Sequence, residues 1–174
     1  MPQVSPEQLR QEIIGVLKEL REALKPKAVV FDLDGVLVDS SERYAKCKEE
    51  AGNDRRKFWE CFLSEKYMDL DKPREDVVKI LRGYLVKRYR IIILTGRIRQ
   101  THAAKTRKQL RKWGIYYHEI VFREKGDYRK DHVYKLEELA RLMERYMIEV
   151  VYDDSTKVLD AIKKRYPQVK VCKV

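Results

Sequence analysis

The sequence contains few residues of the kinds that build zinc sites or disulfide frameworks. Its 174 residues include three cysteines and three histidines. The cysteines form no C-x-x-C pair, and their odd number suits a reducing compartment better than a disulfide framework, so we expect Cys47, Cys61 and Cys172 to be packing residues. The histidines lack the i, i+4 spacing of a helical metal site. Zinc chemistry is therefore not expected.

Long apolar runs are also absent. No stretch approaches the roughly 18 residues that cross a bilayer. The N-terminal MPQVSPEQLRQE has acid and glutamine where a secretory signal has a hydrophobic segment. We therefore expect a cytoplasmic protein with no membrane partner. Asparagine occurs once, at Asn53, among many Lys, Arg and Glu residues, a composition that favours a heat-adapted source.

Positive charge dominates the composition. Lys and Arg number 39 against 28 Asp and Glu, so the net charge is +11. A basic surface attracts polyanions, and each phosphate that it neutralises releases counterions, which makes binding more favourable. The net charge therefore favours a nucleic-acid partner. The alternative interpretation is a solvated basic surface with no such partner. A length of 174 residues suits one domain with a substantial core.

Apolar runs and helical patterns alternate along the chain. Residues 1–27 predict an amphipathic helix packed on a domain formed by residues 28–174. Five short apolar runs are typical of buried strands; they cover residues 28–33, 90–94, 118–122, 148–152 and 169–173. Helical patterns occupy residues 74–87, 101–113, 131–147 and 155–166. The alternation predicts an α/β fold with a Rossmann-like, doubly wound, parallel five-stranded sheet and flanking helices.

Residues 40–72 interrupt this alternation. The stretch is rich in charged and aromatic residues and predicts one or two short helices, broken near Gly52-Asn53. It is too short for an independent lid with a large core of its own. We therefore expect a minimal helical cap insert on the domain.

Acidic and small polar residues follow three of the predicted strands. The acidic residues are Asp32, Asp34, Asp153 and Asp154, and the small polar pair is Thr95-Gly96. The carboxyl ends of parallel strands meet at one edge of a doubly wound sheet, so these groups are expected in one cleft. Asp32 and Asp34 can project from the same face because alternate residues of an extended chain share a face, and Gly35 permits a sharp turn directly after them. Carboxylates so close repel each other unless a hard cation lies between them, and Mg²⁺ is the natural choice.

Each of these short motifs also has an ordinary structural interpretation. A D-x-D-G segment occurs in calcium loops, but the calcium spacing fails here because Gly35 directly follows Asp34. Asp154 or Ser155 can be the N-cap of the next helix. Thr95-Gly96 alone can be a strand-ending turn. The order of the motifs along one chain favours a shared site.

In this order the motifs resemble those of the haloacid dehalogenase (HAD) superfamily. They are FDLDGV at 31–36, LTGR at 94–97, a lysine opening a helix near 130–135, and YDD at 152–154. Within the superfamily, REKGDYRKDHVYK at 123–135 is similar to the phosphatase domain of phage-type polynucleotide kinase, which repairs nucleic-acid ends. That family has a G-D-x-R-K-D run followed four residues later by a functional lysine. This lysine falls on Lys135, with Lys130 as the alternative.

The resemblance implies a magnesium-dependent phosphatase. Asp32 would form an aspartyl-phosphate, and Asp34 would protonate the leaving oxygen and then activate water. The acid at position 34 favours phosphatase over dehalogenase chemistry. Lys135 would stabilise the transferring phosphoryl group. The expected phosphate-binding residues are Thr95, Gly96 and Arg97, and the expected metal ligands are Asp32, Asp34, Asp153 and Asp154.

The resemblance also favours a polynucleotide 3′-phosphatase, with a HAD phosphatase for a small metabolite as the alternative. HAD enzymes for metabolites usually carry a cap, and only about 60 residues separate the first two motifs, so an open site is expected. The candidate substrate-binding residues are Arg43, Arg129 and Asp131. Three aromatic residues of the insert either stack on bases or pack on the core: Phe58, Trp59 and Tyr67. A DNA end and an RNA end are equally compatible with the motifs.

Overall fold

A parallel sheet of five strands forms the centre of the protein in the computed structural model, which describes residues 4–174. The strands are β1 (Lys27–Phe31), β2 (Val38–Asp39), β3 (Lys72–Pro73), β4 (Arg90–Ile98), β5 (Glu119–Arg123), β6 (Met147–Asp153) and β7 (Lys170–Lys173). The helices are α1 (Pro6–Ala23), α2 (Ser41–Ala51), α3 (Arg55–Phe62), α4 (Glu75–Val86), α5 (Arg99–Lys112), α6 (Asp131–Met143) and α7 (Thr156–Arg165), with a 3-10 turn at Met68–Leu70. The main sheet has the order β5-β4-β1-β6-β7, and β2 pairs with β3 in a small antiparallel ribbon.

Both faces of the main sheet are buried, and successive residues of β1 alternate between them. Val29 and Phe31 pack with α4 and α5, whereas Ala28 and Val30 pack with α6 and α7. A sheet covered on both sides needs strands that are apolar along their whole length. The predicted doubly wound, parallel five-stranded α/β fold is confirmed. β1 lies between β4 and β6, so strand order reverses at its carboxyl end.

The insert, residues 40–72, is a helical hairpin. Gly52, with a φ of 56°, ends α2. Asp54 then begins α3, because its side chain accepts hydrogen bonds from the backbone N–H groups of Arg56 and Lys57. The predicted interruption near Gly52-Asn53 is confirmed. The β2–β3 ribbon joins the two ends of the insert at its base.

The prediction that all three cysteines are packing residues is wrong. Cys47 of α2 and Cys61 of α3 form a disulfide, whereas Cys172 is free. The two bonded cysteines are 14 residues apart with no motif between them, so only the folded hairpin brings them together. Disulfides are typical of oxidising compartments and also of intracellular proteins from hyperthermophiles. The cysteine count therefore does not support a reducing compartment.

α1 forms where the sequence predicts it, but the prediction that it packs on the domain is wrong for the described residues. Ser5 and Gln8 form a capping box that starts the helix. None of its residues is buried, and Leu9, Ile13 and Leu17 are 52%, 51% and 60% exposed. The physical reason is that α4 to α7 already cover both faces of the sheet. The first three residues of the predicted segment, 1–3, lie outside the described part.

Among the described residues, no helix has both the length and the apolar composition that a bilayer span requires.

Candidate active site

The carboxyl end of β1 carries Asp32, and the chain turns sharply just after it. The backbone N–H of Asp32 donates to the carbonyl of Tyr152 in β6 at 3.0 Å, which fixes Asp32 where strand order reverses. Gly35 has a φ of 82°, and a Cβ at this position would lie 2.3 Å from Asp154 Oδ2. Glycine is therefore required here by both the backbone conformation and the space.

Three carboxylates form the acid cluster, a name used below for Asp32, Asp153 and Asp154. One oxygen of each lies within 4.8 Å of the others. Burial is the main cause that raises the pKa of Asp32 to about 8; the charge of Lys135 lowers this pKa in part, and repulsion by Asp153 raises it further. Burial, and then Asp153, also raises the pKa of Asp154. Buried carboxylates that repel each other are a donor set suited to a hard divalent cation.

Of the two candidate lysines, Lys135 contacts the acid cluster. Its side chain, from α6, is 4% exposed, and Nζ lies 2.9 Å from Asp32 Oδ2 and 2.6 Å from Asp153 Oδ2. Burial alone would lower the pKa of Lys135, but these carboxylates raise it, so the ammonium is charged at neutral pH. Lys130 instead precedes α6 and is exposed. A fixed positive charge thus lies beside the predicted nucleophile.

Asp34 does not join the acid cluster. Arg97 donates to both of its oxygens, from Nε to Oδ2 at 2.9 Å and from Nη2 to Oδ1 at 2.7 Å, and Arg43 pairs with Oδ1 as well. Burial alone would raise the pKa of Asp34, but Arg97 and then Arg43 lower it to about 2. The prediction that this carboxylate is a metal ligand is not met, because both oxygens face guanidinium groups that a cation would have to displace.

Arg97 is buried and all of its N–H donors form hydrogen bonds within the protein, so the prediction that it binds phosphate is wrong. Two of its five N–H donors go to Asp34. The other three go to Thr106 Oγ1 at 2.9 Å, Gln109 Oε1 at 3.0 Å and Asp71 Oδ2 at 3.0 Å. A guanidinium has no further donor to offer a phosphate. Arg97 instead fixes the position of Asp34.

Arg43 is also buried, so its predicted role in substrate binding is wrong. Its side chain is 1% exposed, Nη1 donates to the carbonyl of Phe62 at 3.2 Å, and the guanidinium lies 4.4 Å from the centre of the Phe62 ring. Its Nε lies 3.0 Å from Asp71 Oδ1. Asp71, at the end of the insert, thus bridges Arg43 and Arg97. Sequence analysis missed Asp71 because no motif marks a single acid at that position.

Thr95 and Gly96 lie beside the acid cluster, in a segment where β4 leaves its regular pairing with β5 between Leu94 and Ile98. The hydroxyl of Thr95 accepts a hydrogen bond from the Arg97 backbone N–H at 3.1 Å. Its carbonyl accepts one from the Tyr134 hydroxyl at 3.0 Å. Their predicted role in phosphate binding stays a prediction.

Arg129, in the segment before α6, and Asp131, the first residue of α6, both line the cleft. Three carboxylates surround Arg129: Asp127, Glu137 and Glu138. Asp131 accepts a hydrogen bond from Arg123 Nη2 at 2.9 Å, and its Oδ2 lies 3.6 Å from Lys135 Nζ. The acidic surroundings weaken the case for Arg129 as an anion-binding residue. The contact between Asp131 and Lys135 is compatible with an orienting role.

These groups open into one cleft of about 1060 Å³. This volume lies just above the range of about 300–1,000 Å³ that is typical of small-molecule pockets. Nine of the predicted site residues line the cleft: Asp32, Asp34, Thr95, Gly96, Arg97, Arg129, Asp131, Lys135 and Asp154. Of the three aromatic candidates in the insert, Trp59 lines it. Phe58 stacks on Phe62, and Tyr67 pairs with Glu50.

The fold and the site define a phosphatase of the HAD type: a doubly wound sheet with a D-x-D-G turn and an acid cluster where strand order reverses. A family model described as the polynucleotide kinase PNKP phosphatase domain matches residues 26–174. The chain belongs to this family, and it is a phosphatase.

Solved structures share this fold. A chain of the Pnkp1/Rnl/Hen1 complex is 28% identical with a TM-score of 0.68, and the match covers 87% of this chain and 46% of that one. A chain of the Pnkp1/Rnl/Hen1 RNA repair complex is 22% identical with a TM-score of 0.68, covering 100% and 57%. A haloacid dehalogenase-like hydrolase from Streptococcus pneumoniae, 14% identical with a TM-score of 0.59, covers 85% and 84%. The present chain thus spans about half the length of the first two chains.

Proposed function

We propose that this phosphatase is a Mg²⁺-dependent polynucleotide 3′-phosphatase that forms an aspartyl-phosphate on Asp32. The observation that carries the proposal is the contact of 2.9 Å between Asp32 Oδ2 and the buried ammonium of Lys135, next to two further carboxylates. An ammonium in this position would stabilise the charge that develops on the phosphoryl oxygens when Asp32 attacks. Membership of the PNKP phosphatase family supports a phosphomonoester substrate.

The acid cluster fits Mg²⁺ because all of its donors are carboxylate oxygens. The pKa values of Asp32 and Asp154 are raised by burial and, to a lesser extent, by the neighbouring Asp153 carboxylate, and a bound cation would offset both effects. Asp32, Asp153 and Asp154 would hold the ion. When bound, Mg²⁺ supplies charge neutralisation for the phosphate oxygens. Lys135 would then balance the negative charge that remains on Asp32 and Asp153.

The proposed reaction has two steps. In the first, the Asp32 carboxylate bonds to phosphorus and the bond from phosphorus to the 3′ oxygen breaks; in the second, water hydrolyses the aspartyl-phosphate. Asp34 is ionised beside its two arginines, which suits it to accept a proton from that water. To protonate the leaving oxygen in the first step, Asp34 must take up a proton when the substrate binds. The negative charge of a phosphate nearby favours this uptake, because it raises the pKa of a carboxyl group.

Three observations support a nucleic-acid end as the substrate. The cleft is larger than most small-molecule pockets. The net charge of +11 favours a polyanion. Two of the structural neighbours are chains of complexes that include Pnkp1, and one of these complexes is described as an RNA repair complex.

The experiment that tests the proposal is a phosphate-release panel with Mg²⁺. We expect the highest kcat/KM for a 3′-phosphorylated oligonucleotide, compared with a 5′-phosphorylated oligonucleotide, a mononucleotide and a sugar phosphate. The variant Asp32→Asn should lose all turnover, whereas the matched variant Asp69→Asn, at an exposed position outside the cleft, should keep it. Faster turnover of the mononucleotide or the sugar phosphate would replace the proposal with a metabolite phosphatase. Turnover by Asp32→Asn would exclude the nucleophile.

A further inference from the structure

The α2–α3 hairpin presents two aromatic rings to the cleft. Tyr44 and Trp59 are 47% and 45% exposed, and both line the cleft. Trp59 packs edge-on against Phe58 and Phe62, with ring centres 5.1 and 6.0 Å apart. These supporting rings hold the indole in place while leaving part of it uncovered. A large aromatic surface that faces a cleft and stays exposed is a binding surface for another flat apolar group.

A disulfide and the contacts of Arg43 hold the hairpin that carries these rings. The disulfide between Cys47 and Cys61 joins α2 to α3, and Phe62, next to Cys61, lies against the guanidinium of Arg43. Arg43 in turn pairs with Asp34. The aromatic wall is therefore linked through packed groups to the catalytic end of β1, so a ring that stacks on it has a defined position relative to Asp32.

Four cations that line the cleft have no carboxylate partner within residues 4–174. They are Arg55 on the insert, Lys125 and Lys130 on the segment before α6, and Lys157 on α7. Other cations on the same cleft are paired, for example Arg123 with Asp131 and Arg129 with Asp127. Unpaired cations on both walls of a cleft are suited to bind a chain of phosphates rather than one.

We infer that these six residues form a strand subsite, which binds the single-stranded polynucleotide that leads to the terminal phosphate. The strand subsite consists of Tyr44, Arg55, Trp59, Lys125, Lys130 and Lys157. An unpaired base stacks on Trp59, and the phosphates of the strand lie near the four cations. Stacking uses the face of a base and so does not read sequence, but it requires a base with a free face. The substrate is therefore a single strand of any sequence, and the inference rests on the proposed function for the reaction itself.

Steady-state kinetics test the role of Trp59. Stacking of one base corresponds to a loss of about 5- to 150-fold on truncation, so Trp59→Ala should raise KM for a 3′-phosphorylated single strand by a factor in this range. The ratio of kcat/KM for that strand to kcat/KM for glycerol phosphate, which has no base, should fall by the same factor. Trp59→Phe should restore most of the loss. Tyr116→Ala, which removes a ring 59% exposed outside the cleft, is the matched control and should keep the wild-type ratio.

Direct binding tests the strand subsite without the reaction. In a Trp113→Phe background Trp59 is the only indole, since the chain has two tryptophans. Titration with a 3′-hydroxyl single strand should quench its fluorescence to saturation, and a blunt duplex of the same sequence should quench far less. The slope of log affinity against log salt should become shallower by about 0.7 in Lys157→Ala, which removes one phosphate contact. Lys163→Ala, an exposed position on the same helix, should leave the slope unchanged.

The outcomes separate the strand subsite from the proposed function. If the wild-type protein hydrolyses the single strand in preference to glycerol phosphate but Trp59→Ala behaves like Tyr116→Ala, the strand subsite is excluded and the proposed function stands. If the wild-type protein shows no such preference, the proposed function fails, and the fluorescence titration still decides the subsite. Absence of quenching, or equal quenching by single strand and duplex, would overturn the inference in either case.

Discussion

Arg97 donates to both carboxylate oxygens of Asp34, from Nε at 2.9 Å and from Nη2 at 2.7 Å. This paired geometry fixes the plane of the carboxylate as well as its position, because a guanidinium is a rigid fork. The arginine that directly follows Thr95-Gly96 therefore binds Asp34, which follows the neighbouring strand β1, rather than the phosphate.

Replacing Arg97 with lysine should damage both stability and turnover. Lysine keeps the charge but cannot make two parallel hydrogen bonds or reach Thr106, Gln109 and Asp71 together. We expect the free energy of unfolding to fall by at least about 2 kcal/mol, since buried acceptors lose their donors. With Asp34 misplaced, kcat should fall by about 100-fold or more, the usual contribution of a general acid–base group. Urea unfolding and steady-state kinetics measure the two effects, with Arg111→Lys at an exposed site of α5 as the control. Unchanged kcat in Arg97→Lys would show that Asp34 needs no such support.

Gly35→Ala should abolish Mg²⁺ binding. The added Cβ would lie 2.3 Å from Asp154 Oδ2, at a position whose φ of 82° already disfavours any side chain. The acid cluster must then open, and its donors no longer converge. Isothermal titration calorimetry with Mg²⁺ should show no binding in this variant. Gly83→Ala is the matched control, because a Cβ there meets nothing within 4 Å and replaces a helical glycine. Wild-type Mg²⁺ affinity in Gly35→Ala would disprove the geometry of the acid cluster.

Stability should fall as the pH drops through the range in which an exposed histidine becomes protonated. His102 is fully buried, and burial, together with the charge of Arg97, lowers its pKa from 6.5 to about 4. The unfolded chain therefore takes up this proton at a higher pH than the folded protein does, so the contribution of His102 is intact above about pH 6.5 and lost between pH 6.5 and pH 4. The loss corresponds to about 3 kcal/mol.

Denaturant unfolding at a series of pH values checks this prediction. His102→Gln should unfold with a flatter pH dependence than the wild-type protein between pH 4 and pH 6.5, the two pKa values that define the window. His132→Gln, in the first turn of α6, should retain the wild-type dependence. Parallel curves for wild type and His102→Gln would mean that the folded protein protonates this histidine without penalty.

Reduction of the disulfide should destabilise the insert. Cys47 and Cys61 are 14 residues apart. A disulfide that closes a loop of about 15 residues stabilises the folded protein by about 3 kcal/mol, because it lowers the conformational entropy of the unfolded chain. A reducing agent should therefore lower the urea midpoint of the wild-type protein but not that of the double variant Cys47→Ser, Cys61→Ser. Cys172→Ser should respond to reduction as the wild-type protein does. Equal midpoints in oxidised and reduced wild type would show that the hairpin is held by packing alone.

Regular features of the fold were predictable because they depend on patterns that repeat. The five apolar runs are strands since a sheet covered on both faces needs them, and Gly52 breaks the insert since few residues tolerate its φ. The packing of α1 was not predictable. An apolar stripe such as that of Leu9, Ile13 and Leu17 indicates a helix, but it does not indicate which surface, if any, lies against it.

At the site, the positions of the residues were easier to predict from the sequence than the contacts of their side chains. Asp32, Asp153 and Asp154 meet as the strand ends require. The arginines differ, because a long side chain close to a site in sequence can point toward it or away from it. Arg43 turns inward to Asp71, a residue 28 positions later that no local pattern connects with it. The disulfide escaped prediction for the same reason.

The insert is fixed to the catalytic end of β1 at its root, where Arg43 and Asp71 enclose Asp34 and Arg97, whereas its turn at Gly52-Asn53 touches none of these groups. The insert should therefore tolerate changes at its turn, whereas changes at its base should disturb the groups around Asp34. Lengthening the hairpin at its tip would leave the contacts at its base in place, while excising the insert at its base would remove Arg43 and Asp71 from around Asp34 and Arg97.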